Sequence, residues 1–252
     1  MVGRTALGAV LVCVVLAACS SHRPVPGDET ADQPNENAAE AGTSDPLQGF
    51  NRAMQSFNDT ADRWVLKPVA KGYRAVVPSL LRRGIGNFYD NLTYPLVVVN
   101  QFLQGKPTLG FSDAGRFVMN STLGIFGFFD PATDAGLQSH DEDFGQTFGK
   151  WGIASGPYLV LPLLGPSDVR DGAGSLLNVW LNPMRYVTDD ERTRYALTGL
   201  YLIQTRASLL DAEQLISGDR YIFMRDAYLQ RREYLIKDGQ VQDEFLDDDW
   251  EE

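Results

Sequence analysis

Apolar residues recur at Leu47, Phe50, Met54, Phe57, Ala61 and Trp64, separated by gaps of three and four. That spacing is the stripe of an amphipathic helix. Asp45 supplies an N-cap ahead of Pro46, and Pro68 is expected to end the helix. A second helix is predicted from Ser79 to about Asn91, weakened by Gly84 and Gly86. A third should open at Pro95 and run to Gln104, and a fourth should run from Thr108 to about Leu123. A middle rich in Gly and Pro follows. Ser167 is then placed to cap a helix through Trp180, Asp189 to start a long helix to Ile216, and Asp219 to cap a last one through Lys237, with Gly239 as its C-cap. The single strand-like segment lies within Tyr158 to Leu161. The predicted fold is therefore mainly α, a bundle of amphipathic helices without a fixed-period repeat.

Both ends depart from this pattern. Residues 1–18 read as a secretory signal: Arg4 gives the positive start, and Ala6 to Ala18 is apolar but too short to span a membrane. Leu16-Ala17-Ala18-Cys19 resembles a bacterial lipobox, so Cys19 is the expected lipid-attachment residue and the mature N-terminus. Cys13 then leaves with the signal, and no internal disulfide is expected. Ser20 after Cys19, by the sorting rule of enterobacteria-like lipoproteins, implies the outer membrane. Residues 19–44 are polar and acidic, with one large aliphatic side chain, Val25, and are expected to be a disordered tether. The helical domain is expected over 45–237. Residues 238–252 hold eight acids and no base, the pattern of a mobile, solvated tail. Such a tail can solubilise the chain or recruit a basic partner face.

The net charge of −11 argues against nucleic acid as a partner. Its distribution changes the picture further. Six acids lie in residues 28–45 and eight in the C-terminal tail, while residues 46–237 balance nineteen acids against twenty bases. Within this near-neutral body, Asn91–Gly105, Phe117–Phe129, Trp151–Ser167 and Gly172–Met184 carry no charge at all. One such segment would read as buried core. Four together, each too short or too broken to span a bilayer, suit a body set partway into a membrane, where the cost of exposing apolar area, about 25 cal/mol per Å² in water, vanishes. The candidate lipid- or membrane-contacting residues are Phe126, Phe128, Phe129, Leu159, Leu161, Leu163, Leu164 and Trp180. Hinges are conceivable near Gly124, Gly127, Gly172 and Gly174.

Catalytic chemistry finds little support. The mature body has no thiol, no G-x-S-x-G elbow, and a single His, His140, in the run His140-Asp141-Glu142-Asp143. Adjacent residues do not converge on one ion, so this run reads as a solvated loop, with no metal and no cofactor expected. The bases Lys67, Lys71, Arg74, Arg82 and Arg83 could meet lipid phosphates or simply form a solvated helix face. Arg231 and Arg232 read the same way.

Ordered motifs then accumulate: Asp45-Pro46-Leu47-Gln48-Gly49-Phe50-Asn51-Arg52, Asn87-Phe88, Val99-Asn100 with Leu103-Gln104-Gly105, Arg116-Phe117 with Asn120-Ser121-Thr122-Leu123-Gly124, Gly127-Phe128-Phe129-Asp130, Phe144-Gly145-Gln146-Thr147, Gly156-Pro157-Tyr158, Arg170-Asp171, Thr205-Arg206-Ala207, and Tyr221-Ile222 with Arg225-Asp226-Ala227-Tyr228. Together they resemble the MlaA (VacJ) lipoproteins over residues 45–237. The resemblance implies a ring-like helical body in one leaflet of the outer membrane, on its periplasmic side, with a central amphipathic channel. It implies removal of misplaced phospholipid from the outer leaflet, a trimeric porin beside the ring, and a periplasmic lipid-carrier protein as recipient, with no covalent chemistry. The competing readings are a lipid-anchored periplasmic enzyme and a structural envelope protein. A soluble, active body after removal of the tether marks the first, and partner binding without bound lipid marks the second.

Overall fold

The computed structural model describes residues 45–240. The signal, Cys19, the tether and the tail beyond Gln240 lie outside the described residues. Helix α1 (Gln48–Ala61) passes through a π-turn (Asp62–Leu66) into α2 (Lys67–Val76). Then come α3 (Ser79–Leu103), α4 (Pro107–Thr122), the one-turn α5 (Pro131–Asp134) and α6 (Phe144–Lys150). A hairpin of β1 (Tyr158–Leu161) and β2 (Gly165–Asp168) follows, antiparallel, with Tyr158 opposite Asp168 and Leu161 opposite Gly165. Helices α7 (Val169–Leu181), α8 (Glu191–Ser208) and α9 (Arg220–Ile236) complete the body, with short 3₁₀ turns at Pro183–Tyr186 and Ala212–Leu215. The mainly helical class and the strand at Tyr158–Leu161 are as the sequence predicts.

Several boundaries differ, each for a local reason. Pro68 does not end the first helix. The preceding π-turn, closed by the Lys67 N–H on the Asp62 carbonyl, opens the backbone, and Pro68 falls in the first turn of α2, where its missing N–H is tolerated. Pro95 does not start a helix but lies inside α3, which runs unbroken for 25 residues. An interior proline costs about 3 kcal/mol, and packing of α3 against α4, α6 and α8 offsets it. The N-cap of α7 is Asp168, not Ser167, and its carboxylate accepts the Asp171 N–H at 2.7 Å. The long helix expected to reach Ile216 stops at Ser208. There the chain turns back and delivers Asp211 and Glu213 to the bases of α2.

Contacts run round the body in a closed circuit. Helix α1 touches β1, β1 pairs with β2, β2 touches α9, and α9 touches α6. In turn α6 touches α3, α3 touches α8, and α8 touches α2, which rejoins α1 through the π-turn. A ring-like body requires such closure. Helix α7 packs on α6 so closely that a Cβ at Gly174 would lie 2.4 Å from the Gly145 nitrogen. Gly127, at φ +87°, similarly backs onto Asn91. These glycines serve close approach rather than hinging.

The apolar core is small. Among the described residues, its buried cluster is Tyr158, Val160 and Tyr221, with Met54, Ile222, Tyr228 and Leu229 packed around it.

Candidate functional site

Helices α4 and α7 of this body are inside-out. In α4 the buried positions include Asp113, Arg116 and Asn120, a polar stripe at helical spacing, whereas Phe111 and Val118 face outward. Helix α7 buries Arg170, Asp171 and Gly174 and exposes Val169, Leu176, Val179 and Trp180. The stripe that runs along α1 into the π-turn is divided: Phe50, Phe57 and Trp64 are exposed, Met54 packs on the core cluster, and Asn51 is fully buried. Exposed apolar side chains are common in proteins, but a buried polar stripe paired with an exposed apolar one on the same helix is informative. The uncharged segments of the sequence give the apolar interior little beyond Tyr94, Tyr158, Val160 and Met184. They supply Val99, Phe102, Leu123, Ile125, Trp151, Ile153 and Leu177 to the surface.

Each buried charge is satisfied, as burial demands. Asp113, 0% exposed, receives Tyr94 Oη at 2.9 Å and Gln101 Nε2 at 3.0 Å, and lies 2.8 Å from His140 Nδ1. His140 is thus no solvated loop residue: its run turns inward, where Glu142 takes Gln104 and Lys106, and Asp143 caps α6. Arg116 reaches Thr133, the Leu137 carbonyl and Asp130, while Asn120 bridges Asp130 and the Ala132 N–H. Arg232, expected on a solvated face, is largely covered between Asp143 and Asp171, whereas Arg231 remains exposed beside Asp141. Burial raises the carboxyl of Asp143, but the hydrogen bond and charge of Arg232 outweigh it and hold the group below its ordinary value. Burial prevails at Asp168, whose carboxyl is raised. A polar cavity of about 210 Å³ opens among Asn87, Asn91, Tyr94, Arg116, Asn120 and Asp130. Beside it, burial and then the charge of Asp141 raise the Asp90 carboxyl.

A second cavity, of about 200 Å³, is amphipathic. Leu66, Val160, Leu163, Leu164, Pro166 and Met224 form its apolar wall, and Asn58, Asp59, Asp62 and Arg220 its polar wall. The hairpin that supplies Leu163 and Leu164 is held to α1 by two asparagines a pair of turns apart. Asn51 donates to the Tyr158 carbonyl and accepts the Val160 N–H, and Asn58 donates to the Leu161 carbonyl and accepts the Leu163 N–H, at 2.7–3.0 Å. The two side-chain amides take the place of a third strand.

Of the candidate lipid-contacting residues, Leu163 and Leu164 meet at this cavity. Phe126 is 74% exposed and Trp180 63%, and Phe129 is also exposed. Phe128 is half-buried, its ring over Gly84 and edge-on to Phe129. Leu159 and Leu161, on the strand face opposite Tyr158 and Val160, are half-buried. Phe126, Phe128, Phe129, Leu159, Leu161 and Trp180 lie outside the amphipathic cavity. Sequence reasoning missed Leu66, Met224, Asp59, Asp62 and Arg220. None of them belongs to the stripe that ends at Trp64, and only the packing of the hairpin on α1 and of α9 on the hairpin brings them together. Among the described residues no three His, Cys, Asp or Glu side chains are grouped to hold a metal, and no helix is long and apolar enough to cross a membrane.

The family model for the MlaA lipoprotein matches residues 43–235. The chain belongs to the MlaA lipoprotein family. It is 39% identical over 207 residues to the "Intermembrane phospholipid transport system lipoprotein MlaA" of Escherichia coli, covering 79% of this chain and 81% of the relative. The MlaA lipoprotein of Haemophilus influenzae, with the same descriptive name, is 29% identical over 246 residues, covering 94% and 92%. A solved structure described as "Structural basis for maintenance of bacterial outer membrane lipid asymmetry" superposes with a TM-score of 0.68 at 38% identity. That match covers 77% of this chain and all of the other. In the MlaA family, then, this chain keeps the inside-out helices and the hairpin clasp as properties of its own residues.

Proposed function

We propose that this protein is an outer-membrane lipoprotein, anchored through Cys19 on the periplasmic side, that conducts phospholipid out of the outer leaflet and so maintains lipid asymmetry. The observation that carries the reading is the inversion of α4 and α7: their apolar stripes face out and their polar stripes face in, although none of the described helices can span a bilayer. Such a body is matched to one leaflet. Its exterior is solvated by acyl chains, and its polar interior accommodates head groups. The exposed Phe126, Phe129, Leu163, Leu164 and Trp180 contact lipid in this reading, with Phe128, Leu159 and Leu161 supporting them from beneath. The amphipathic cavity at the hairpin has the two-sided lining that a phospholipid requires. The family resemblance extends the proposal to a trimeric porin beside the ring and a periplasmic carrier that receives the lipid. No bond is made or broken.

The test uses residues 20–252, lacking signal and acyl group. The protein is expected to partition into phospholipid vesicles, to resist extraction by high salt and carbonate, and to co-purify with phospholipid in detergent. A soluble, lipid-free product would overturn the proposal and favour an envelope protein merely tethered by its anchor.

A further inference from the structure

Helix α2 carries Lys67, Lys71 and Arg74 on one face, at i, i+4 and i+7. The turn after α8 closes over them and leaves a recess of about 540 Å³ whose opposite wall holds Asp211 and Glu213. A neighbouring recess of about 350 Å³ shares Arg74 and Asp211 and adds Arg82 and Arg83 from the first turns of α3. Five cations therefore meet two carboxylates. Glu213 is already committed, at 2.8 Å, to both Lys67 and Arg206. Asp211, at 2.9 Å from Arg74, is largely exposed, and an exposed pair contributes little. Arg82 is spent on the carbonyls of Arg74 and Val77, at the C-terminus of α2. Lys71 and Arg83 are both exposed and have no ion-pair partner among the described residues.

The surroundings decide what this charge is for. Val69, Val76, Leu80 and Leu81 stand exposed on the same two helices, with Val76 81% exposed. A recess built for a soluble anion needs no apolar rim. Cations beside an outward apolar face are the arrangement that places side chains among acyl chains and bases at the phosphates above them. A zwitterionic head group brings its own cation, which a net-positive recess repels, whereas a head group with net negative charge does not.

We propose that the joined recesses between α2, the start of α3 and the turn after α8 bind the phosphate of an anionic phospholipid, and that they make this protein prefer anionic over zwitterionic lipid. The proposal rests on the phospholipid reading above and names the head-group class.

The full chain, in a non-ionic detergent at low salt, is titrated with dihexanoyl phosphatidylglycerol, dihexanoyl phosphatidylcholine and inorganic phosphate. The same titrations are run on Lys71→Gln/Arg83→Gln, whose two exposed side chains leave the packing unchanged. Each base near a lipid phosphate is worth about fivefold in binding, so the double variant is expected to bind the glycerol lipid about 25-fold more weakly and the choline lipid unchanged. Raising the salt should weaken the glycerol lipid alone in the unaltered chain, which checks the proposal without any variant. An undiminished preference in the double variant would overturn the inference, as would inorganic phosphate matching the glycerol lipid. Equal binding of the two lipids by the unaltered chain sinks the head-group preference alone, whereas binding of neither sinks the phospholipid reading with it.

Discussion

Replacing Leu176 and Trp180 with Gln alters two side chains on the outward face of α7 that lie 73% and 63% exposed. If that face meets lipid, transfer from water hides most of what is exposed. Trp180 then contributes about 3 kcal/mol, from 63% of a side chain of roughly 200 Å² at about 25 cal/mol per Å². Leu176, with 73% of its surface to hide, adds about 1–2 kcal/mol. The double variant should therefore partition into vesicles about a thousandfold more weakly than unaltered residues 20–252, since 1.4 kcal/mol is about tenfold. Its unfolding free energy in detergent should fall by less than about 1 kcal/mol, because neither position is buried and Gln suits a helix. Flotation on a density gradient measures the first quantity and chemical unfolding the second. Partitioning within threefold of the unaltered protein would refute a lipid-facing α7. A stability loss above 2 kcal/mol, on the order of a core substitution, would instead mean that the face is packed against something.

Arg232→Met leaves the buried Asp171 and the partly exposed Asp143 without their shared cation, and is expected to cost about 3 kcal/mol in urea unfolding. Gly174→Ala, which would press on the backbone of Gly145, should destabilise the protein, whereas Gly199→Ala in α8, with nothing within 4 Å, should raise stability by up to about 1 kcal/mol; thermal melts of the two compare them directly. Hydrogen bonds from Arg206 and Lys67 hold the Glu213 carboxyl down at about 2, against an ordinary value of 4.5. Because the folded value is the lower one, the stabilisation is present above pH 4.5 and is lost as pH falls toward 2. Glu213→Gln should flatten that part of the acid-unfolding curve.

How much of this was legible in the chain varies with the range of the interaction. The last helix and its cap at Asp219 are legible in the sequence, because a cap and its helix are local. Pro68 and Pro95 misled, because local rules assign a proline to a helix end. Here a π-turn absorbs the first, and packing on three neighbouring helices carries the second. His140 and Arg232 were read as solvated, since nothing near them in sequence shows that Asp113, Asp143 and Asp171 stand opposite. Apolarity and the absence of charge are all that the sequence offers to mark a lipid-facing residue. Burial then divides the candidates, leaving Phe126 and Trp180 outside and putting Phe128 beneath its neighbour.

The sequence by itself determined that the body is helical, near neutral and crossed by four uncharged apolar stretches, because composition and period are written in neighbouring residues. It could not say which way those stretches face. An apolar stripe has the same period whether it points to a core or to lipid, as the exposed Phe50 and Phe57 beside the core-packed Met54 demonstrate in α1. Only the tertiary structure decided that. By pairing Asp113, Arg116 and Asp171 with partners distant in the chain, it made the polar sides of α4 and α7 the buried ones and left their apolar sides facing out.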